Sequence, residues 1–407
     1  MTETQRKADG QAKRRRRKGR RRNKPNPNYI PKPTGPTEPG EGVLDIQNDG
    51  SGFLRFLEND YLASEDDFYV PPGLIKLHSL KAGSHVAGQV GQPRKQGQKP
   101  LLAEVELVDH MDPEERARLK PFEKLLVVDP EPQFVLEPGD GDIGLRIMDL
   151  LAPIGMGQRG LLVAPPRSGK TVLLQKVAHS IEQHYPDVHL MVLLIDERPE
   201  EATGWRRSVD HGEVLVSTLD EGPRNHVKLS EITLARAQRL VECGKDVLIV
   251  LDSITRMARA YNSEHRGGGG ILSGGLGAKV LEKPKRFFGA ARNIEDGGSL
   301  TILATTLVET GSKMDQVIFE EFKGTGNMEL VLSRQLAERR CFPAIDLEMS
   351  GTRKEELLLP KAVIDRIYTL RRVLSKMHSL DSMPLLIEKL MKTESNAEFL
   401  ASFKVTQ

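Results

Sequence analysis

Eight residues constrain this chain more than any others: Ala164-Pro165-Pro166-Arg167-Ser168-Gly169-Lys170-Thr171. The apolar run Leu161-Leu162-Val163 precedes them. Val172-Leu173-Leu174 follows, with Val177 and Ala178 one turn further on. That is the order strand, tight loop, helix. Where Gly-Lys-Thr opens the helix, backbone N–H groups converge on a polyphosphate. The lysine adds a point charge for the β- and γ-phosphates, and the threonine hydroxyl is placed to ligate Mg²⁺. Ala164 stands where the G-x-x-x-x-G-K-[ST] pattern has its first glycine, which a small Cβ tolerates if φ is negative. The segment from Pro166 to Val172 therefore predicts a nucleotide site.

Other residues of the second half suit that chemistry. From Arg146 onward, apolar strands alternate with amphipathic helical segments, which predicts a parallel sheet flanked by helices. The run Asp246 to Leu251 ends in Asp252, read as the Mg²⁺ carboxylate at the end of a strand beside the phosphate-loop strand. Leu190 to Ile195 runs into Asp196-Glu197-Arg198-Pro199-Glu200-Glu201. Hydrolysis needs a carboxylate to orient and deprotonate water. Glu197 is the first choice and Asp196 the second, with the later glutamates read as the solvated start of a helix. Arg266 to Gly277 is a long glycine-rich loop, and Thr310 to Asp315 puts Lys313 on a small-residue loop. Either is channel-lining or bland on spacing alone. Arg340 and Arg353 stay uncommitted, and Phe342 would stack an adenine or fill a core.

Charge divides the chain unevenly. Residues 1–24 carry twelve Lys/Arg against Glu3 and Asp9, hence +10, so the net +2 leaves −8 for the rest. Such a block repels itself and predicts a disordered arm over residues 1–40, Pro25 to Gly40 serving as the linker. The arm suits phosphate-backbone binding by counterion release, with a nuclear-import signal or a merely solvated tail as rivals. Two cysteines, Cys243 and Cys341, exclude a disulfide framework. No apolar run approaches the ~18–20 residues of a membrane span. The expectation is a soluble intracellular protein.

Residues 41–110 read as about five short strands, and an oligonucleotide-binding barrel is the economical fold. Its aromatics are Phe53, Phe56, Tyr61, Phe68 and Tyr69. Exposed rings would stack bases while Arg55 serves the backbone, although two or three rings belong in the core. Residues 111–145 read as a connector, and 146–407 as the ATPase domain with C-terminal helices.

The chain resembles the bacterial transcription termination factor Rho family. The resemblance lies in Pro153 to Gly160, the Ala164 to Thr171 loop, Leu194 to Glu201, Leu251-Asp252-Ser253-Ile254-Thr255-Arg256, Pro284 to Asn293, Gly311 to Asp315, Glu321 to Asn327 and Ser350 to Leu357. It implies a RecA-like, ring-forming, hexameric RNA-dependent ATPase and 5′–3′ helicase that acts on nascent RNA at the RNA polymerase elongation complex in the bacterial cytoplasm. It implies ATP and Mg²⁺ as cofactors. Glu197 would be the base, Asp252 and Thr171 the metal contacts, Lys170 a phosphate contact, and Phe342 the adenine partner. Arg353 would be the arginine finger in a neighbouring subunit, with Arg340 assisting. Ile271, Leu272, Ser273, Gly274, Gly275 and Lys313 would grip RNA in the pore, and Phe53, Arg55 and Tyr69 would form the primary RNA site.

Two departures stand out. The basic arm occupies the place of the family's helical bundle, and Ser51 replaces an aromatic before Gly52-Phe53-Leu54-Arg55. The alternatives are a rotary-ATPase-type catalytic subunit and a nucleotide-gated RNA-binding protein that does not translocate.

Overall fold

The computed structural model describes residues 30–93, 97–137, 141–264, 275–277 and 279–402. The basic arm up to residue 29 and the pore candidates Ile271, Leu272, Ser273 and Gly274 lie outside the described residues.

Five strands form the first unit: β1 (Thr34–Ile46), β2 (Gly52–Arg55), β3 (Phe68–Val70), β4 (His85–Gln92) and β5 (Leu101–Val108). They close in the order β1-β2-β3-β5-β4, with β4 antiparallel to β1 and β3 parallel to β5. A short helix, Pro72–Leu77, joins β3 to β4. Alternate residues of β4 point inward, and Leu44, Leu54, Val70, Val86 and Leu102 fill the interior. This is the expected oligonucleotide-binding barrel.

Its first strand starts earlier than composition suggests. Residues 34–40, whose composition is that of a linker, pair with β4 from Thr34 onward. The glycines there serve close packing. A Cβ on Gly40 would sit 2.6 Å from Val90 Cγ2, and one on Gly42 would sit 2.9 Å from Leu54 Cβ. A Pro/Gly-rich stretch at the crowded crossing of a small barrel imitates a linker in composition.

The second unit is built on a sheet ordered Glu213–Thr218, His189–Glu197, Val247–Asp252, Ser299–Leu307, Arg159–Ala164, Met328–Val331, Gly351–Thr352. All neighbouring pairs are parallel except the last. Ser299–Leu307 lies between the strand of Asp252 and the phosphate-loop strand, so the two are not adjacent, contrary to the expectation from sequence. The central strands are buried on both faces, which requires continuous apolar runs such as Leu190 to Ile195.

The connector is not a free segment. Val127–Val128 pairs with Arg292–Ile294, which itself pairs with the start of the central strand Ser299–Leu307, and Gln133–Phe134 pairs with Ile154–Gly155. Helix Ile143–Leu151 begins ahead of the expected boundary and is almost wholly buried. The fully buried Arg146 on it donates to the Leu390 and Thr393 carbonyls and to Asn396 Oδ1, which ties it to the C-terminal helices Ser379–Leu390 and Asn396–Ala401; helix Lys361–Leu374 precedes them.

Barrel and sheet are joined by apolar contact and buried charge. Val43, Tyr61 and Phe122 share one apolar cluster with Leu193 and Leu251, which makes Tyr61 a core residue instead of a base-stacking ring. Glu242, with a fully buried side chain, accepts from Arg116 Nη2 at 2.6 Å, Arg239 Nη2 at 2.8 Å, Lys81 Nζ at 3.2 Å and the Phe122 N–H at 2.8 Å. Asp109 accepts from Arg116 Nε at 2.6 Å and Arg236 Nη1 at 3.2 Å. Burial alone would raise the Glu242 pKa, but Arg239, Arg116 and the Phe122 N–H outweigh it and hold the carboxyl low.

Glu242→Gln should cost about 3–5 kcal/mol by leaving buried cations uncompensated, read as a lowered urea midpoint. Because the folded pKa is depressed, the stabilisation is present above the unfolded value and lost as pH falls through the folded one. An unchanged midpoint would show that the network does not hold the units together.

Candidate active site

The phosphate loop has the geometry its sequence requires. Ala164 ends the extended strand Arg159–Ala164, so replacing glycine there introduces no strain. The turn is made by Arg167 at φ 65° and Gly169 at φ 89°, and Ser168 Oγ braces it by donating to the Pro165 carbonyl at 2.8 Å. Helix Lys170–His184 starts at once, aiming its free N–H groups into the loop.

Lys170 Nζ lies 2.5 Å from both oxygens of Asp252, a residue with no exposed surface, and Thr305 Oγ1 donates to Asp252 Oδ1 at 2.7 Å. Thr171 Oγ1 donates to Glu201 Oε2 at 3.4 Å. Glu201 is therefore turned toward the phosphate loop, contrary to its reading as part of a solvated helix start, whereas Glu200 is exposed as expected. Hard oxygen donors at Thr171 and Asp252 beside a phosphate cradle fit Mg²⁺, which needs few protein ligands when phosphates and waters supply the others.

Backbone geometry places Glu197 and Asp196 in different surroundings. The register between His189–Glu197 and Glu213–Thr218 shifts between Ile195 and Glu197, with Asp196 as the extra residue at φ 56°. This bulge re-aims the strand end. It leaves Asp196 half-exposed and Glu197 only 3% exposed. Burial and the nearby Asp252 carboxylate push Glu197 up to about 7 against the opposing pull of Lys170 and Arg256. Glu197 Oε2 has no hydrogen-bond partner, and Arg256 Nη2 is 3.3 Å away. A general base with a pKa near neutrality is well matched to water activation.

Beside the loop lies a cavity of about 570 Å³ lined by Ile143, Gly169, Val172, Leu173, Phe342 and Pro343, with Lys176 and Asp142 paired at 2.5 Å on its wall. Phe342 is 46% exposed, and its ring would lie 3.4 Å from a Cβ on Gly169. A half-exposed ring over a phosphate loop suits a purine.

The two arginines are not brought together. Arg353 donates its backbone N–H to the Asn327 carbonyl beside Thr352, which pairs with Met328 opposite Gly160. That is the start of the phosphate-loop strand, the end away from its own phosphate loop. Arg340 stands beyond the other end of Met328–Val331, in the turn leading to Phe342. Lys313 is exposed and opens helix Lys313–Lys323 instead of sitting within a loop, and Ser312 caps that helix at the Asp315 N–H. Gly275 is exposed at the end of the glycine-rich segment.

On the barrel, Phe53 and Tyr69 are half-buried neighbours with centroids 5.8 Å apart, a ring pair able to receive a base. Arg55 is not free for a phosphate backbone. It is 7% exposed, bonded to Asp67 at 2.5 Å and Asp45 at 2.8 Å, and its guanidinium lies 4.9 Å from the Phe53 ring centroid. Sequence alone hides carboxylates ten and twelve residues away. Ser51 is buried, closing its turn by a 2.7 Å bond to Asp49 Oδ1.

Residues 40–114 match the family model "Rho termination factor, RNA-binding domain", and residues 144–352 match "ATP synthase alpha/beta family, nucleotide-binding domain". The transcription termination factor Rho of Pseudomonas aeruginosa is 51% identical over 368 residues, covering 90% of this chain and 88% of that protein. That of Haemophilus influenzae is 52% identical, covering 90% and 87%. The chain belongs to the transcription termination factor Rho family. Among solved structures, a type III secretion system ATPase superposes with a TM-score of 0.57 at 20% identity, covering 77% of this chain and 93% of that one. The ATP synthase subunit NeqB of Nanoarcheaum equitans superposes at 0.58 and 16%, covering 68% and 76%. These last likenesses concern the fold.

Arg256, Glu201 and Thr305 are site residues to which sequence alone assigns no role. Arg256 is visible one turn after Asp252 in a matching motif, but its target is defined only by the bulge at Asp196. For Phe342, replacement by alanine should weaken adenine-nucleotide binding roughly tenfold, since stacking on a base contributes about 1–3 kcal/mol. Titration with a fluorescent ATP analogue measures this, with Phe342→Trp retaining affinity. Equal affinities for Phe342→Ala and the unaltered protein would place the base elsewhere.

Proposed function

We propose that this Rho-family protein is an RNA-dependent ATPase that moves 5′ to 3′ along single-stranded RNA as a homohexameric ring, separates RNA–DNA duplexes and terminates transcription at the RNA polymerase elongation complex. The observation that carries this is one chain in which an oligonucleotide-binding barrel is welded by buried charge to a phosphate-loop core with a poised carboxylate. The barrel's match to an RNA-binding family model favours this over a rotary catalytic subunit. The poised carboxylate favours it over a nucleotide-gated RNA-binding protein that does not translocate.

Lys170 and the loop N–H groups hold the β- and γ-phosphates, and Thr171 and Asp252 would hold Mg²⁺. When bound, Mg²⁺ supplies charge neutralisation at the phosphates. Glu197 takes a proton from the water whose oxygen bonds to the γ-phosphorus, while the bond to the β–γ bridging oxygen breaks and ADP leaves. Arg353, at the end of the sheet away from its own phosphate loop, suits a role on a neighbouring subunit's γ-phosphate, with Arg340 in support. Lys313 and the segment ending at Gly275 would grip RNA in the ring's pore, and Phe53 with Tyr69 would load it at the barrel. No helix among the described residues is long and apolar enough to cross a membrane, in keeping with work in the bacterial cytoplasm.

Steady-state ATP hydrolysis with and without poly(C) or poly(U) tests the reading. Strong stimulation by either polymer is expected, and none, with ATP binding intact, would remove it. Glu197→Gln should still bind ATP while turnover falls by orders of magnitude. Normal turnover would transfer the role to Asp196 or Glu201.

The basic arm would supplement the barrel, whose stacking surface lacks an aromatic at Ser51. Deleting residues 1–29 spares Ile30, which packs against the barrel, and all of β1. The slope of log affinity against log salt should flatten by about 0.7 for each RNA phosphate that the arm had neutralised. An unchanged slope would exclude the arm from RNA binding.

A further inference from the structure

The backbone of Glu197 is held from one side only. The pairing of His189–Glu197 with Val247–Asp252 ends at Leu194, so beyond it the strand's partner among the described residues is Glu213–Thr218. There Ile195 faces Ser217 and Glu197 faces Thr218, and the Glu197 carbonyl accepts from the Leu219 N–H at 3.0 Å. Asp196, left over between the two pairs, sits at φ 56°, which a residue other than glycine keeps only where its surroundings enforce it. Glu197 Oε2 accepts no hydrogen bond, so the aim of this carboxylate is left to its backbone and to Arg256. Whatever fixes residues 217–219 therefore fixes Glu197.

A small buried network does so. Ser217 has no exposed surface, and His226, near the start of helix Pro223–Glu242, is buried. Ser217 Oγ lies 2.7 Å from His226 Nδ1 and donates to Glu221 Oε2 at 2.9 Å. Asn225 Nδ2 donates to the same oxygen at 2.9 Å, and the Glu221 N–H closes the turn by donating to the Thr218 carbonyl at 3.0 Å. A carboxylate only accepts, so the single hydroxyl proton of Ser217 goes to Glu221. His226 Nδ1 must then carry the proton of the imidazole and donate it to Ser217. Burial, helped by Arg256, lowers the His226 pKa against the pull of Asp196 and Glu221, so the ring stays neutral. In a nucleophilic triad the imidazole takes the serine proton. Here the serine gives it to a carboxylate and the imidazole donates, so the arrangement holds position and does no chemistry of its own. Its base is rigid: Leu229 and Ile232 of the same helix share an apolar cluster with Leu193, Ile195 and Leu215, and Ser230 Oγ donates to the His226 carbonyl at 2.8 Å.

We propose that His226 is a positioning residue for the carboxylate that activates water: through Ser217 and Glu221 it holds residues 217–221 in the register that leaves Asp196 bulged outward and Glu197 turned in. This rests on the reading of Glu197 as the base. His226 touches neither that carboxylate nor the substrate, and acts through the strand that Glu197 is paired with.

The test uses the full chain and measures kcat at saturating poly(C), affinity for a fluorescent ATP analogue, and poly(C) affinity. His226→Leu, which removes the N–H donor, should lower kcat about tenfold or more, the scale expected when a reacting group is misplaced by a fraction of an ångström to an ångström. Nucleotide and poly(C) affinities should stay within about twofold, because the phosphate loop, Phe342 and the barrel lie elsewhere. His226→Asn, whose amide N–H takes the place of Nδ1–H, should restore most of kcat, whereas His226→Gln, whose amide reaches the Nε2 position, should not. Ser217→Ala removes the bridging oxygen and should show the same split, and adding it to His226→Leu should cost little more, since both break one chain. Normal kcat in His226→Leu and Ser217→Ala would overturn the proposal. So would equal losses in the Asn, Gln and Leu variants, the mark of a ring that only fills space, or a matching fall in nucleotide affinity. If His226→Leu does not fold, Ser217→Ala and the contrast of Asn with Gln decide the matter. Normal turnover in Glu197→Gln would instead remove the underlying reading.

Discussion

The contact between Lys170 and Asp252 is the interaction around which the rest of the nucleotide site is arranged. A side chain with no exposed surface at the end of a central strand needs compensation, and Lys170 on both oxygens with Thr305 on one provides it. The pair spans three strands: Asp252 ends one, Thr305 belongs to the next, and Lys170 opens the helix after the third. Their order in the sheet therefore determines the site. With Ser299–Leu307 between them, the phosphate-loop strand and the strand of Asp252 are held one strand apart, a gap that the Lys170 side chain closes by direct contact with the carboxylate.

Much of this is legible in the sequence, for reasons that also explain what is not. The phosphate loop, the strand ending in Asp252 and the barrel show themselves through short local patterns: apolar runs, turn residues and a glycine where φ must be positive. Glu197 is legible as a strand end, but the bulge that turns it inward and Asp196 outward is not, because a bulge exists only against a partner strand. Arg55 reads as a free cation because Asp45 and Asp67 meet it only after the barrel closes. Residues 34–40 read as linker because the glycines that let β1 cross β2 and β4 have the composition of an unstructured segment. Each discrepancy falls where a residue's partner is distant in sequence.

The barrel and the core use charge in opposite ways. Between them, Glu242 and Asp109 meet Lys81, Arg116, Arg236 and Arg239 with nearly every carboxylate oxygen bonded, which makes a geometrically demanding joint. The same joint reaches the RNA platform. Asp45, which holds Arg55, also meets Lys228 of helix Pro223–Glu242 at 3.3 Å. A barrel joined in this way moves with its ATPase core, so RNA held on the proposed Phe53 and Tyr69 platform would stay in fixed register with that core.

At the proposed catalytic carboxylate the opposite holds. Glu197 is as buried as the joint residues, but one of its oxygens is unbonded and Arg256 stands 3.3 Å from it. An unsatisfied buried acceptor costs about 1–3 kcal/mol, and a left-handed aspartate beside it adds local strain. That cost falls on the carboxylate proposed to accept a proton, with Arg256 beside it. A fully bonded Glu197 would be a weaker base and would not respond to its surroundings. Burial and the neighbouring Asp252 make Glu197 basic near neutral pH, while the opposing pull of Arg256 at 3.3 Å leaves that basicity sensitive to small displacements of the guanidinium.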